Sequence, residues 1–476
     1  MNLTSVCRRI WPVLRAVLLI FLALVVFTAI LPYWFPPKLP EEEKAAFDPA
    51  AFYGDAPCGD RVALVETPSD GLAARMQLLG EAQHTLDISY YGMPMGETTD
   101  QFLAGVLAAA ERGVQVRILV DGASGGLTWF HPDYARALGA HPNIQLKIYN
   151  PPSPLAPWTY NGRLHDKYIL ADGRLLLLGG RNIGDRYFGA PSYEKPLSLD
   201  RDVLVYSTGW QPGQPDVPGS AAEQVRAYMD SIWDSHAAHQ PFERDSAGAA
   251  RVREKLLALA DTLPQTVPQD WPALTLPAAR ITLLHNGGDP GPKAPAVAWQ
   301  LGQLLLSGKE SVLLQSPYIV PDGPMMDLLT ALGRTVPDCT ILTNSLSCSP
   351  NLPAFSCYRA SRSRIREQIP SLMEYQGPDA LHAKTYLIDG RLALIGSYNM
   401  DPRSSYIDTE LLLAIDSPAL AQVLQAELDG YLSGSLQVGP QGGYLPGPAA
   451  EAPAGPLKTG LARLLGLVLV PFRALV

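Results

Sequence analysis

The chain has 476 residues, a net charge of −9 and a pI of about 5.4. Hydrophobic residues make up 47% of it, which excludes a globally disordered protein and allows roughly two to three domains. The acidic balance argues against a protein that binds a polyanionic backbone, because nucleic-acid binders usually present a basic surface. A local basic groove stays compatible with this balance.

The N-terminal segment 1–35 predicts a short cytoplasmic stub and a transmembrane anchor. Residues 16–35 carry no charge, and as a helix they can cross a hydrocarbon core of ~30 Å. Three arginines precede this stretch and an acidic run, 41–43, follows it, so the positive-inside rule predicts an extracytoplasmic catalytic part. A cleaved signal peptide is the alternative, but the apolar stretch of a signal peptide is shorter than residues 16–35 and is followed by small residues at the cleavage site. We therefore expect a single-pass protein of the cell membrane.

After a linker rich in proline and glutamate (36–61), strands and helices alternate through a first half-domain (62–262). Predicted strands read VALVE, TLDISYY and VQVRILVDG. The helices between them read GLAARMQLLGEA and TTDQFLAGVLAAAERG, and Gly113 ends the second. This alternation indicates an α/β unit with a largely parallel sheet.

A proline-rich linker (263–278) leads to a second half-domain (279–436), in which the same order recurs. ITLLHN, SVLLQSPYIV and CTILTNS predict strands, and AVAWQLGQLLLSG and MMDLLTALGR predict helices. Each half ends with a further helix, around 221–236 and 419–432. We expect two similar α/β half-domains that pack side by side with pseudo-twofold symmetry.

The C-terminal end is separate from both halves. A Gly/Pro/Ala linker (437–456) precedes a cationic, amphipathic tail (457–476), which is interrupted by Pro471. Its basic and apolar residues predict a helix that lies in the membrane interface. The alternative is a tail helix docked on the catalytic domain.

The five cysteines show no zinc-binding spacing. Cys348 and Cys357 lie close together in a loop rich in serine and proline, and they can form a disulfide if the compartment is oxidising.

The internal repeat is sharpest around two His-x-Lys-x4-Asp motifs. RLHDKYILADGRLLLLGGRN aligns without a gap on ALHAKTYLIDGRLALIGSYN, at a constant offset of 217 residues. The Asp-Gly pair of each motif predicts a hairpin turn. The matched polar residues are His165 and His382, Lys167 and Lys384, Asp172 and Asp389, and Asn182 and Asn399.

A histidine and a lysine two residues apart lie on one face of a strand, where both can address one phosphate. We predict that one of His165 and His382 attacks the phosphorus of a phosphodiester and becomes a phosphohistidine, while the other protonates the leaving alcohol. With cations and amides on the non-bridging oxygens, the reaction needs no metal and no cofactor. The predicted phosphate-binding residues are Lys167, Lys384, Asn182 and Asn399.

Four carboxylates complete the predicted site. Asp172 and Asp389 belong to the motifs and are counted with the catalytic residues, although we expect them to bond backbone or neighbouring side chains and hold the loop. LSLDRDVLV and SYIDTELLL place Asp202 and Glu410 at comparable points. We predict that these two orient the histidines by accepting a proton from the second ring nitrogen.

Together with the extensions GGRNIGDRYFG and NMDPRS, these motifs resemble the phospholipase D superfamily, and within it the bacterial cardiolipin synthases. The resemblance covers residues 62 to 432 and implies a mixed α/β fold with the active site between the halves. It also implies that His165 is the nucleophile and His382 the acid.

The reaction implied is transfer of a phosphatidyl group to phosphatidylglycerol. The alternatives are a hydrolytic phospholipase D and an extracytoplasmic nuclease on the same scaffold. The expected partners are a phospholipid substrate and the bilayer, without nucleic acid and without an obligate protein partner.

Overall fold

The computed structural model describes residues 3–128, 131–214, 216–241 and 246–476, with side chains from residue 11 onward. The chain begins with a long helix, α1 (Leu3–Ile30), which a 3-10 turn extends over Leu31–Trp34. The candidate span Trp11–Trp34 has a mean hydropathy of 2.8, and its most apolar stretch of 18 residues is not buried in the fold. By length and composition this is the one helix among the described residues that can cross a membrane. A short helix, α2 (Glu41–Ala46), follows it.

The first half-domain is a nine-stranded sheet with helices packed on it. Its strands, with β7 standing outside the sheet, are β1 (Asp60–Val65), β2 (Thr85–Tyr90), β3 (Gln115–Asp121), β4 (Ile144–Tyr149), β5 (Lys167–Ala171), β6 (Leu175–Gly179), β7 (Ser198–Leu199), β8 (Asp202–Ser207), β9 (Ala238–His239) and β10 (Leu276–Pro277). Its helices are α3 (Pro68–Glu81), α4 (Glu97–Glu111), α5 (Pro132–Gly139), α6 (Asp185–Phe188), α7 (Ala221–Trp233), α8 (Ala247–Ala260) and α9 (Trp271–Leu274).

The second half-domain has an eight-stranded sheet. Its strands, with β15 standing outside the sheet, are β11 (Arg280–His285), β12 (Ser311–Gln315), β13 (Asp338–Asn344), β14 (Ser371–Tyr375), β15 (Ala380–Leu381), β16 (Lys384–Ile388), β17 (Leu392–Gly396), β18 (Leu411–Asp416) and β19 (Ser435–Gln437). The helices are α10 (Ala296–Leu306), α11 (Gly323–Thr335), α12 (Leu352–Gln368), α13 (Pro402–Tyr406), α14 (Pro418–Ser433) and α15 (Pro456–Leu469).

The two sheets have the same topology. The order β1-β8-β6-β5-β2-β3-β4 in the first corresponds strand for strand to β11-β18-β17-β16-β12-β13-β14 in the second. The predicted pair of similar half-domains is therefore confirmed. The first sheet carries β10 as an additional edge strand beside β1, inside the segment predicted as a linker.

Both sheets are mixed, as the resemblance implied, and the prediction of a largely parallel sheet is wrong. β2, β3 and β4 are parallel, as are β12, β13 and β14. The motif strands β5 and β16 run antiparallel to both of their neighbours. The reason is the Asp-Gly turn: Asp172 and Asp389 have φ of 56° and 51°, which folds each motif strand directly back on the next.

The half-domains share a hydrophobic core. One buried cluster contains Leu170 and Leu178 of the first half together with Leu387 and Ile395 of the second. Helices α7 and α14 pack across the boundary, on β11 and β1 respectively. A short parallel ladder between β7 and β15 also joins the halves. The motif strands thus meet at an interface that burial and backbone hydrogen bonds both fix.

The C-terminal tail is docked along one face and exposed along the other. Helix α15 packs on α12, and Lys458 donates to the carbonyl oxygens of Ser347 and Ser349. A 3-10 turn, Val470–Leu475, follows α15, while Leu457 and Leu467 stay exposed. The tail therefore combines the docked arrangement with an apolar outer face.

The paired-cysteine possibility is not realised in the fold. Cys348 and Cys357 are both buried free thiols; Cys348 precedes α12, and Cys357 lies within this helix.

Candidate active site

Backbone hydrogen bonds between the halves align each motif with a carboxylate-bearing segment of the other half. His382 donates its backbone N–H to Leu199 O at 2.6 Å, at the end of the β7–β15 ladder. On the other side, His165 donates its backbone N–H to Thr409 Oγ1 at 2.9 Å, and Thr409 donates to Arg163 O at 3.0 Å. The segments that precede β8 and β18 therefore run beside the opposite motif.

Each histidine is paired with a carboxylate of the opposite half. His165 Nδ1 lies 2.9 Å from Glu410 Oε1, and His382 Nδ1 lies 2.5 Å from Asp200 Oδ2. Because a carboxylate accepts the proton of Nδ1, the lone pair of each neutral imidazole is on Nε2. The site is thus assembled from both halves, and neither half alone contains an oriented histidine.

The prediction that Asp202 orients a histidine is wrong, since Asp200 occupies that position. Asp202 Oδ2 accepts hydrogen bonds from Arg75 Nη1 at 2.9 Å and from Arg181 Nε at 3.0 Å. All three of these side chains are buried. Residues two apart in a strand point to the same face, so the alternation of the sequence does not distinguish Asp200 from Asp202.

The strand register shows which residue corresponds to Glu410. Gly179 pairs with Asp202 in the first sheet, and Gly396 pairs with Leu412 in the second. Asp202 is therefore equivalent to Leu412, and two residues earlier Asp200 is equivalent to Glu410. The predicted position of Glu410 agrees with this geometry.

The lysines of the two motifs lie beside the histidines. Lys167 Nζ donates to His165 O, and Lys384 Nζ donates to His382 O and lies 3.0 Å from His382 Nδ1. Burial lowers the pKa of Lys167 to about 7, although Glu410 opposes this shift. Burial also lowers the pKa of Lys384. Each lysine lowers the pKa of the histidine in its own motif, which keeps the imidazole neutral in the free site.

The two halves of the site differ in charge. Burial raises the pKa of Glu410 to about 7, against the attraction of Lys167. Burial acts on Asp200 in the same direction, but Lys384 and His382 outweigh it, so the pKa of Asp200 lies below its usual value. The carboxylate beside His382 is therefore ionised at neutral pH, whereas the one beside His165 is near its midpoint.

The pKa values of the histidines are both low. Burial and Lys384 lower the pKa of His382 to about 3, with Asp200 acting against them. Burial and Lys167 hold the pKa of His165 well below its usual value. A neutral imidazole is a competent nucleophile, and a bound anionic phosphodiester would favour the protonated form of either ring.

The two asparagines after the motifs each have an unsatisfied polar atom. Asn182 Nδ2 donates to Tyr187 Oη at 3.1 Å. Within the described part of the chain, Oδ1 of Asn182 and Oδ1 of Asn399 are buried without a hydrogen-bond partner. Since an amide can be turned to exchange its oxygen and nitrogen, each asparagine can present a donor to a phosphate oxygen.

Asp172 and Asp389 lie at the far ends of the motif strands, so their inclusion among the catalytic residues is corrected. Asp172 accepts hydrogen bonds from the backbone N–H groups of residues 83–85. Asp389 accepts them from residues 309–311, and these bonds lower its pKa although burial opposes them. Both carboxylates fix the loop that enters the adjacent strand. This agrees with the expectation that they bond backbone groups and hold the loop.

Replacing Asp172 with asparagine is expected to lower the free energy of unfolding by about 1–2 kcal/mol. Asparagine tolerates the positive φ but exchanges one acceptor oxygen for a donor that faces a backbone N–H. Thermal unfolding should show the loss, while turnover per folded molecule stays unchanged. Asp389→Asn is the matched variant in the other half. A large loss of turnover at unchanged stability would return Asp172 to the catalytic set.

Sequence reasoning missed a second residue, Asp166. Its carboxylate accepts hydrogen bonds from Tyr228 Oη at 3.0 Å and from Thr409 Oγ1 at 2.6 Å. Because Thr409 precedes Glu410, Asp166 holds in place the segment that carries Glu410. Comparison of the repeats discards Asp166 because Ala383 occupies the equivalent place. Asp200 was within reach of the same sequence reasoning, because it stands two residues before Asp202, between β7 and β8.

The comparisons with known proteins agree with this geometry. Residues 76–233 and 301–432 match the family described as "Cardiolipin synthase, PLD-like domain". Cardiolipin synthase C of Escherichia coli (strain K12) is 31% identical over 410 residues, which cover 76% of this chain and 82% of that protein. A cardiolipin synthase of Alkalihalophilus pseudofirmus is 25% identical over 347 residues, or 71% of this chain and 59% of that protein.

The fold also has a solved counterpart. A phosphatidylserine synthase of Haemophilus influenzae Rd KW20 superposes with a TM-score of 0.61 at 14% identity, covering 87% of this chain and 95% of that one. At this identity the likeness concerns the fold alone. With the matches in both halves and the relative from E. coli, the chain belongs to the family of cardiolipin synthases with a phospholipase D-like domain.

Proposed function

We propose that this phospholipase D-type enzyme is a membrane-anchored phosphatidyltransferase that moves a phosphatidyl group to phosphatidylglycerol through a covalent phosphohistidine. The observation that carries the proposal is the pair of histidines, one from each half, whose Nδ1 atoms are bound to carboxylates of the opposite half. This arrangement leaves two Nε2 atoms for chemistry at one phosphate.

In the first step, His165 Nε2 attacks the phosphorus of the donor phospholipid. The bond from phosphorus to the headgroup oxygen breaks, and His382 gives a proton to the departing alcohol. The phosphatidyl group is then bonded to His165, whose Nδ1 proton interacts with Glu410. His165 can attack because burial and Lys167 keep its ring neutral, whereas the ionised Asp200 favours the protonated form of His382 once the anionic phosphate is bound.

In the second step, a glycerol hydroxyl of phosphatidylglycerol gives its proton to His382 and attacks the phosphohistidine. The phosphorus–nitrogen bond breaks, His165 is released and cardiolipin is formed. Asp200, ionised beside His382, stabilises the imidazolium that gives its proton in the first step and forms again in the second. Water in place of the glycerol hydroxyl would give phosphatidic acid.

The charge on the phosphoryl group is balanced by side chains of the protein. Lys167 and Lys384 supply cations to the non-bridging oxygens, and Asn182 and Asn399 supply amide donors. This mechanism uses no metal and no other cofactor, and turnover in the presence of EDTA should equal turnover without it.

For topology, we place the N-terminus in the cytoplasm and the catalytic part outside it. The support is the excess of arginine before the apolar segment and of glutamate after it. The lipid substrates are then those of the extracytoplasmic leaflet.

The test is product analysis with the full chain in vesicles. In phosphatidylglycerol, alone or with phosphatidylethanolamine, mass spectrometry should show cardiolipin, and the His165→Ala variant should show none. Phosphatidic acid without cardiolipin, even in the presence of glycerol-type acceptors, would identify a hydrolytic phospholipase D instead. Release of nucleotides from single-stranded DNA would support the nuclease.

A further inference from the structure

The loop 151–161, which leads into the first motif, is hydrogen-bonded to the end of the membrane helix. Asn161 Nδ2 donates to Ala29 O at 2.6 Å, and Tyr33 Oη donates to Trp158 O at 2.8 Å. Ala29 and Tyr33 belong to the last turns of the apolar segment Trp11–Trp34. These bonds fix the position of the loop relative to the end of the helix, and therefore its depth in the membrane.

That depth is inside the membrane interface. A helix rises 1.5 Å per residue, so Ala29 lies about 8 Å before Trp34 along the axis. Tyrosine and tryptophan at the end of a span mark the level of the lipid headgroups. A loop bonded to Ala29 and Tyr33 therefore reaches the headgroup level from the side of the catalytic domain.

The side chains at this level are apolar and exposed. Leu155 is 87% exposed and Trp158 is 49% exposed, beside Phe35 at 77%. The end of the C-terminal tail lies at the same level, since the ring of Phe472 stacks on that of Trp34 at 6.4 Å. This face is continuous with the membrane span, which identifies a bilayer surface as its occupant.

The histidine of the first motif follows closely after the same loop. His165 is four positions after Asn161, a span of at most about 14 Å. Arg403 donates to Asn161 O at 2.7 Å and forms an ion pair with Asp408 at 2.9 Å, while Asp408 accepts the backbone N–H of Arg163. Asp408, two residues before Glu410, is thus linked through Arg403 to the loop that the helix holds at the headgroup level.

We propose that the loop 151–161 inserts Leu155 and Trp158 into the leaflet at the C-terminal end of the membrane helix, and that phospholipids enter the active site sideways from this leaflet. A phosphate in the headgroup layer then reaches the histidines while its acyl chains stay in the bilayer. The enzyme acts on lipids of its own membrane rather than on those of an apposed one. The insertion of the loop is inferred from its bonds to the membrane helix and does not depend on the reaction. The route of the substrate, in contrast, rests on the proposed function.

The insertion is tested by measuring depth in the full chain. Leu155→Cys carries a fluorophore in a background in which Cys7 and the exposed Cys58 are serine, after reconstitution in phosphatidylcholine–phosphatidylglycerol vesicles. Lipids with a nitroxide near the headgroup should quench this label, and iodide in water should not. Val267→Cys, at an exposed apolar residue beside α3, should show the opposite. Equal access of iodide to both labels would overturn the insertion.

The route of the substrate is tested by activity. Leu155→Ser with Trp158→Ser should lower turnover of vesicle phosphatidylglycerol about tenfold more than turnover of dissolved dihexanoyl phosphatidylglycerol. Val267→Ser should affect neither. Donor lipid supplied only in separate, enzyme-free vesicles should give no product. An equal loss on both substrates, or product from separate vesicles, would overturn the route. If no cardiolipin forms under any condition, the proposed function fails while the depth result stands.

Discussion

Replacing either His165 or His382 with alanine is expected to reduce turnover by at least ~10³-fold, because each substitution removes one of the two groups that exchange bonds or protons with the phosphodiester. The fold should survive, since the two side chains keep 11% and 20% of their surface exposed and the hydrophobic cores are built from other residues. Cardiolipin formation in vesicles measures the loss, and circular dichroism with thermal unfolding provides the control.

The two variants should differ on a substrate with an activated leaving group. A phosphatidyl ester of p-nitrophenol needs no proton on departure, so His382→Ala should release p-nitrophenol far faster than it makes product from phosphatidylglycerol. His165→Ala should stay inactive on both substrates, because it lacks the atom that attacks. The reverse pattern would exchange the roles of the two histidines. Recovery by both variants would argue against a covalent intermediate on either.

Asp202→Asn is expected to lower the free energy of unfolding by about 3–5 kcal/mol, because Arg75 and Arg181 then keep buried charges without a carboxylate. Asp200→Asn should instead lower kcat by about 100-fold and leave KM unchanged, because it removes the ionised group that orients His382 and stabilises its protonated form. Chemical denaturation and steady-state kinetics on the same preparations separate the two effects.

These two aspartates control for each other. They stand two residues apart, are both buried and undergo the same substitution, so a general effect of asparagine in this strand would appear in both. If Asp202→Asn lost kcat at unchanged stability, Asp202 would act on the histidine after all. If Asp200→Asn mainly unfolded the protein, its carboxylate would be a structural group.

The motif residues were predictable because the duplication repeats them in register. A single His-x-Lys pattern carries little information, but His165, Lys167 and Asn182 recur at one constant offset, and the fold bonds the histidine of each copy to the opposite half. The element order was predictable for the same reason. The seven strands from β1 to β4 in the first sheet each have a counterpart in the second, which is what a duplicated sequence implies.

Other features depend on contacts that no local pattern records. The choice between Asp200 and Asp202 is set by the register of β6 with β8, and a shift of two residues keeps every side chain on its face. The sheet was predicted as largely parallel because helices and strands alternate along most of the sequence. At the motif strand, however, two residues, Asp172 and Gly173, reverse the chain and make the strand antiparallel to the next one. The bonds from Ala29 and Tyr33 to the loop before His165 join positions more than a hundred residues apart.

The pairing of each histidine with a carboxylate of the other half has a consequence for how such a site can specialise. In a homodimer with an exact twofold axis, both histidines would have identical surroundings and would have to share the work of attack and proton donation equally. Covalent fusion of the two copies removes that constraint, so that Glu410 and Asp200 could diverge in chemistry and ionisation. Directionality in the reaction, with one lipid always bonded to the same histidine, follows from this broken symmetry.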